Sequence, residues 1–244
     1  MNTLLAFDTS TDLMSIALGT PAGSVVRESE GGALASARLV PDVMALLAEA
    51  GVALGDVDAI AFGAGPGAFT GLRTACSVAQ GLALGAGKPV VPVDSLMLVA
   101  DDAREQLGEA SPDTLWVAMD ARMGQAYAAP YRWTGTRWLA IEAPALFDPA
   151  ALAARWLAER PQAVAGSALT AFGPALGLPD AVTTVPHARS RVRALLRVAR
   201  MQWQAGAAVD AALALPVYVR DKVAQTTAER EALRAHEAAT GGGA

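Results

Sequence analysis

The sequence predicts an α/β protein in which one supersecondary plan, βββαβα, is laid down twice. Three observations carry this expectation. Short β-rich runs lead into helix-period segments and then alternate with them, the pattern that builds a partly parallel sheet covered by helices. A strand ending in an acid and followed by two more strands occurs near the start and again past the middle, so Asp8 and Asp120 hold equivalent places. Between them, Ala59 to Gly85 reads as a single unit: a buried strand that breaks into a glycine loop and re-forms as a helix.

Taken in order, Leu4 to Asp8, Leu13 to Thr20 and Ser24 to Glu28 are predicted strands, joined into a meander by the turns STD and PAG. Arg38 to Ala50 follows as a helix with Leu39, Val43, Leu46, Leu47 and Ala50 on one face and Gly51 at its end. Pro41 suits the first turn of that helix, where its missing N–H has no helical acceptor. The strand Ala59 to Phe62 then leads through Gly63, Gly65 and Gly67 to a helix from Thr70, its expected N-cap, to Leu84, with Gly71 just inside it. Gly85 and Gly87 are the expected stop. A strand over Pro89 to Val93 and a helix from a Ser95 cap to Leu107 complete the first half.

After a break at Gly108 to Asp113, three strands are predicted over Thr114 to Met119, Gln125 to Trp133 and Arg137 to Ile141. A helix (Pro149 to Glu159), a strand (Gln162 to Ala165), a short helical segment through Phe172, a strand (Val182 to Val185), a helix (Arg191 to Gln204) and a closing segment (Leu215 to Val219) follow. The expected division is residues 1–110, residues 111–225 and a charged tail, 226–244, read as a frayed helix.

The glycine loop admits three readings. A phosphate-binding loop with Lys followed by Ser or Thr is excluded, because Gly71 is followed by Leu72 and Arg73. A dinucleotide fingerprint is half met by Gly63, Gly65 and Ala68. Pro66 removes a donor inside it, however, and no acid ends a strand about 20 residues on. The third reading is a tight strand-to-helix joint. The helix itself carries Arg73, Ser77 and Gln80 on a narrow polar face, while Leu72, Ala75, Cys76, Val78, Ala79, Leu82 and Ala83 cover the rest. So much apolar circumference must be buried on more than one side, by a partner or within the chain's own domain.

Composition excludes several classes. A net charge of −5 argues against a chain that grips nucleic acid unaided. One local exception lies between His187 and Arg200, where five arginines occur and Arg193, Arg197 and Arg200 recur at helical spacing. They form either a solvated face or an RNA contact. No run is long enough to span a bilayer, so no membrane is expected. The single cysteine, Cys76, fits a reducing cytoplasm and reads as a small buried hydrophobe. His187 and His236 stand apart, so no metal site is written locally, and there is no nucleophile elbow. Asp8 and Asp120 each end a strand, where a carboxylate either holds a hydrated cation or is satisfied by turn N–H groups.

Several blocks together resemble the bacterial TsaB family, also called YeaZ. They are FDTSTDLMSIAL, ARLVP, DAIAFGAGPGAFTGLR with SVAQGLALG, MDARMGQAYAA, and PVYVRDKVAQT near the end. The resemblance is close over most of the first 130 residues and looser beyond. It implies the actin, sugar kinase and Hsp70 superfamily, with two ribonuclease-H-like halves, in agreement with the internal repeat. It also implies a non-catalytic partner in making N6-threonylcarbamoyladenosine on tRNA. Such a partner pairs with a TsaD-type catalytic subunit, works with a TsaE-type ATPase, and reaches tRNA only through the complex.

The resemblance further implies association through the first two helices, with TsaD or, in its absence, with a second copy. On this chain that interface comprises Arg38, Leu39, Asp42, Val43, Leu46, Phe69, Leu72, Arg73, Ala75, Cys76, Ala79 and Gln80. Ala79→Arg is then expected to abolish partner binding and leave a folded monomer. TsaD-type relatives carry a histidine pair on the first helix, and TsaB members commonly have a histidine where Ala35 stands; the stretch Ala35 to Leu39 has none. No cofactor is expected, with nucleotide at the partner interface left open. The alternative is an ATPase or phosphotransferase of the same superfamily. It would use Asp8, Thr9 and Ser10 as a phosphate turn, now vestigial under the preferred reading, and Asp120 as the metal-holding acid. Its weakness is the second half, where VAGSALTAFG is a poor substitute for an adenosine loop. A peptidase is disfavoured for want of a nucleophile or metal set.

Overall fold

Alternation along the first strand decides how the first half is layered. In β1 (Leu4–Asp8), Leu4 and Ala6 face one way, Leu5 and Phe7 the other, and all four are fully buried. A strand apolar on both faces needs cover on both sides. The computed structural model describes residues 2–220, so the tail at 226–244, with His236, lies outside the described residues.

β2 (Leu13–Thr20) and β3 (Gly23–Glu30) continue from β1 as an antiparallel meander, whereas β4 (Ala59–Gly65) and β5 (Val90–Asp94) run parallel on its other side, in the order β3-β2-β1-β4-β5. Parallel neighbours require crossovers. These are α1 (Ala35–Glu49), before β4, and α2 (Phe69–Ala86), between β4 and β5. Both lie on the Leu5 and Phe7 face, where Leu39, Val43, Leu46, Ala75 and Ala79 pack with Ile60 and Phe62.

The second half repeats the plan. β6 (Thr114–Asp120), β7 (Ala126–Trp133) and β8 (Trp138–Ala140) are antiparallel, and β10 (Ala163–Ala165) and β11 (Thr183–Val185) run parallel to β6, giving β11-β10-β6-β7-β8. A short β9 (Ala145–Phe147), not anticipated from sequence, pairs with β7. α4 (Pro149–Glu159) and α5 (Ala168–Phe172) cover one face, where Leu152 and Trp156 meet Trp116. The two sheets therefore share one strand order, that of two ribonuclease-H-like halves.

The remaining helices, α3 (Ser95–Leu107) and α6 (Arg191–Gln204), lie between the sheets. There Ala6 and Val91 of the first sheet, Leu98 and Leu195 of the helices, and Leu115 and Tyr131 of the second sheet form one core. α6 packs on β1 and β2 although it ends the second half, and α3 packs on β6 although it ends the first.

Several local expectations need correction. α1 begins at Ala35, so Pro41 lies inside the helix rather than in its first turn. It is tolerated because Ala37, whose carbonyl loses its donor, is exposed and can be solvated. α2 begins at Phe69 behind Ala68, leaving Thr70 in the first turn and not at the cap, and it runs through Gly85 to a left-handed Gly87 with φ 65°. Asp94, not Ser95, caps α3, accepting from Leu96 N at 2.8 Å and Met97 N at 3.4 Å. The closing segment, residues 215–219, runs as a strap held to β4 by Val217 N on the Ala64 carbonyl at 2.7 Å.

Candidate functional site

The turn after β1 and the glycine loop after β4 are pressed against each other. Asp8 Oδ1 accepts from Ser10 N at 2.8 Å, and Oδ2 accepts from Ser10 Oγ at 3.0 Å and from Arg191 Nη2 at 2.9 Å. Thr9 Oγ1 donates to the Gly71 carbonyl at 2.6 Å, and Ala68 N donates to the Ser10 carbonyl at 2.8 Å. This contact dictates the glycines. A Cβ on Gly63 would overlap the Asp8 carboxylate, one on Gly71 the Thr9 carbonyl, and one on Gly67 would stand 2.6 Å from Ser10. Gly65, at φ 112°, would meet the Val217 carbonyl at 2.8 Å. The loop is thus the strand-to-helix joint, its glycines required by the chain's approach to itself.

Asp120 repeats the Asp8 turn. Its Oδ1 accepts from Arg122 N at 2.8 Å, as Asp8 does from Ser10 N, while its Oδ2 lies 3.6 Å from the Arg122 guanidinium. Arg122 also bridges to Asp12 at 3.1 Å, and Arg122 and Met123 are held at φ 63° and 55°. Between the two turns lies a cleft of about 750 Å³, lined by Ser10, Phe69, Asp120, Tyr127, Arg191 and Tyr218 among others. The strap closes one side of it. Tyr218 stacks on Phe69 with centroids 5.2 Å apart, Arg73 lies 3.9 Å over the Phe69 ring and donates to Tyr218 OH at 3.1 Å, and Arg220 donates to the Ala121 carbonyl at 3.2 Å.

The interface residues expected on α1 and α2 separate into two sets. Leu39, Val43, Leu46, Leu72, Ala75, Cys76 and Ala79 are buried in the chain's own core, so as partner-contact residues they are corrected. The reason is that both helices cover the same sheet face, while the turn that leads into the strap, through Ala211 and Ala214, takes the flank of α2 that composition left uncovered. Cys76 Sγ–H and Gln80 Nε2 both donate to the Ala214 carbonyl, at 3.4 and 3.0 Å, and burial raises the Cys76 thiol pKa. Arg38, paired with Asp42 at 3.4 Å, and Arg73 stay at the surface, and Phe69 is half-buried. The residues that do face outward are others: Val40 (40% exposed) and Met44 (45%) on α1, and Leu84 (64%) beside Gly81 and Gly85 on α2.

The arginine stripe also dissolves. Arg197 donates to buried Asp101 at 2.7 Å, Arg200 lies against Gly19, and Arg193 alone of the three is exposed. Sequence reasoning missed three contacts altogether: Arg191 on Asp8, Arg220 on the β6–β7 turn, and Tyr131 OH, which donates to Asp94 at 2.6 Å. Burial pushes the Asp94 carboxyl above its ordinary value, against the pull of Tyr131 and the two capping N–H groups. The Tyr131 hydroxyl is raised by its own burial and by that carboxylate.

Comparison with known proteins decides the family. Residues 33–243 match the family model "TsaD: tRNA N6-adenosine threonylcarbamoyltransferase". The chain is 34% identical over 234 residues, covering 91% of itself and 96% of its relative, to the tRNA threonylcarbamoyladenosine biosynthesis protein TsaB of Escherichia coli K12. The chain belongs to the TsaB family. The Haemophilus influenzae TsaB is 42% identical over 125 residues, 51% of this chain and 52% of that protein. YeaZ from Pseudomonas aeruginosa superposes with a TM-score of 0.76 at 38% identity, covering 89% of this chain and all of its own. TsaB membership makes this a tRNA threonylcarbamoyladenosine biosynthesis protein. Among the described residues, no helix is long and apolar enough to cross a membrane.

Proposed function

We propose that this TsaB-family chain is a non-catalytic subunit in forming N6-threonylcarbamoyladenosine on tRNA. It docks on a TsaD-type catalytic subunit, and without one on a second copy of itself, through the outward strip of α1 and α2. A TsaE-type ATPase joins the assembly, and tRNA is reached through it. The supporting observation is that strip: Val40 and Met44 stand exposed on α1, and Leu84 stands exposed on α2 beside Gly81 and Gly85, at which a Cβ would meet nothing within 4 Å among the described residues. Small residues on an exposed helix face let a second helix approach closely. A non-catalytic role is further supported by the two strand-end acids, each tied to an arginine and its own turn.

The burial pattern changes the test. Ala79→Arg would force a charge into the chain's own core, so Met44→Arg replaces it as the probe of docking. The isolated Met44→Arg chain should unfold within about 0.5 kcal/mol of wild type, as surface substitutions do. It should fail to co-purify with a TsaD homologue and should fail to support tRNA modification in a reconstituted system. Unimpaired modification without this chain would sink the assignment. The phosphotransferase reading is favoured only by the size of the cleft, within the range of small-molecule sites. Calorimetry with magnesium and ATP on the isolated chain separates the two.

A further inference from the structure

Arg191 has no part in the docking strip, yet it brings a buried guanidinium to the wall of the cleft. It is 9% exposed, its Nη2 donates to Asp8 Oδ2 at 2.9 Å and to Ser10 Oγ at 3.2 Å, and its Nη1 is buried with no acceptor among the described residues. A buried ion pair with an orphaned donor is a poor way to gain stability, because apolar side chains of similar volume do as well or better. The neighbours instead specify a charge. Asp8 is 2% exposed at the end of a fully buried strand, Ser10 N fixes its Oδ1, and side-chain-free Gly63 makes room for it. Asp8 Oδ2 and Ser10 Oγ therefore converge on one point, and a positive group has to stand there.

We infer that the Arg191 guanidinium is a built-in replacement for a divalent cation at the Asp8 turn, and that it closes the cleft to metal-borne ligands. A carboxylate and a hydroxyl oxygen converging on a centre are ligands a hard cation accepts. The residues as they stand do not fit such an ion, since Nη2 already occupies the point of convergence. The guanidinium reaches the turn because α6 packs on β1 and β2, and its start is pinned by Val192 N on Glu28 Oε1 at 3.2 Å and by Arg189 N and Ser190 N on Asp102, each at 2.9 Å. Unlike an ion, this charge cannot exchange. The inference is independent of the docking surface, since Arg191 lies between the sheets and not on the outward strip.

Mn²⁺ alone is the probe, followed by electron paramagnetic resonance of the free ion and by thermal unfolding. Arg191→Met removes the charge and keeps most of the volume; Asp8→Asn with Arg191→Met removes both charges. The single variant should bind one Mn²⁺ at least tenfold more tightly than wild type or the double variant, and Mn²⁺ should raise its Tm alone. If Arg191→Met does not fold unaided, its recovery on refolding with Mn²⁺ but not without it is the same result. The inference fails if Arg191→Met binds Mn²⁺ no better than wild type. It fails equally if that variant refolds as poorly with the ion as without it, or if wild type itself binds Mn²⁺ in a manner that Asp8→Asn abolishes.

Discussion

Gly81 offers the most direct test of what covers α2. It lies mid-helix and exposed, and a Cβ there meets nothing within 4 Å, so the described chain makes no use of the missing side chain. Glycine inside a helix is about 1 kcal/mol less favourable than alanine. Gly81→Ala should therefore stabilise the isolated chain by about 1 kcal/mol, which is ~2–4 °C in Tm at this size. Against a closely packed partner helix the same methyl overfills the contact, at a cost of about 1–3 kcal/mol. That weakens association by roughly 5- to 150-fold. Urea unfolding at a concentration where the chain is monomeric measures the first effect, and calorimetric titration with a TsaD homologue the second. Gly71→Ala is the internal contrast. Its methyl would overlap the Thr9 carbonyl, a backbone atom, so overpacking of about 3 kcal/mol should outweigh the helical gain and leave a net loss of about 2 kcal/mol. A Gly81→Ala chain that is stabilised but binds as before would refute docking through this strip, and one that is not stabilised would refute the claim that the glycine is idle in the monomer.

Asp94 makes a pH prediction. Its folded pKa is raised by burial above the 3.8 of an unperturbed carboxyl, so the folded state binds the proton more tightly than the unfolded state. Wild type should then gain stability relative to Asp94→Asn as pH falls from neutrality through the raised value toward 3.8, and a relative loss over that window would contradict the assignment. Cys76, with its thiol raised by burial and donating to the Ala214 carbonyl, should react with a soluble disulfide reagent only as fast as the chain opens. Rapid labelling of the native protein would show that the segment around Ala214 does not cover α2.

Local signals were sufficient for β1, β2, α4 and α6, which occupy their expected residues, because each is written in periodicity and turn chemistry over neighbouring positions. Helix starts were less legible. Ala68 takes the cap position of α2 because Ala68 N is drawn to the Ser10 carbonyl, a contact no reading of Thr70 could reveal. The apolar excess on α2 was visible, but its cover was not. Ala211 and Ala214 reach it from a segment more than a hundred residues further along, and small exposed or buried alanines look alike in a sequence.

By itself the amino-acid sequence determined the repeated α/β plan, the glycine joint and the family, since all three reside in short blocks of adjacent residues. Tertiary structure alone decided which face of α1 and α2 is left over, and that Asp8 meets a guanidinium rather than an open cleft. Arg191 lies 183 residues from Asp8, and only the insertion of α6 between the two sheets brings the charges within 2.9 Å. Burial and pairing depend on distances through space, which sequence order does not encode.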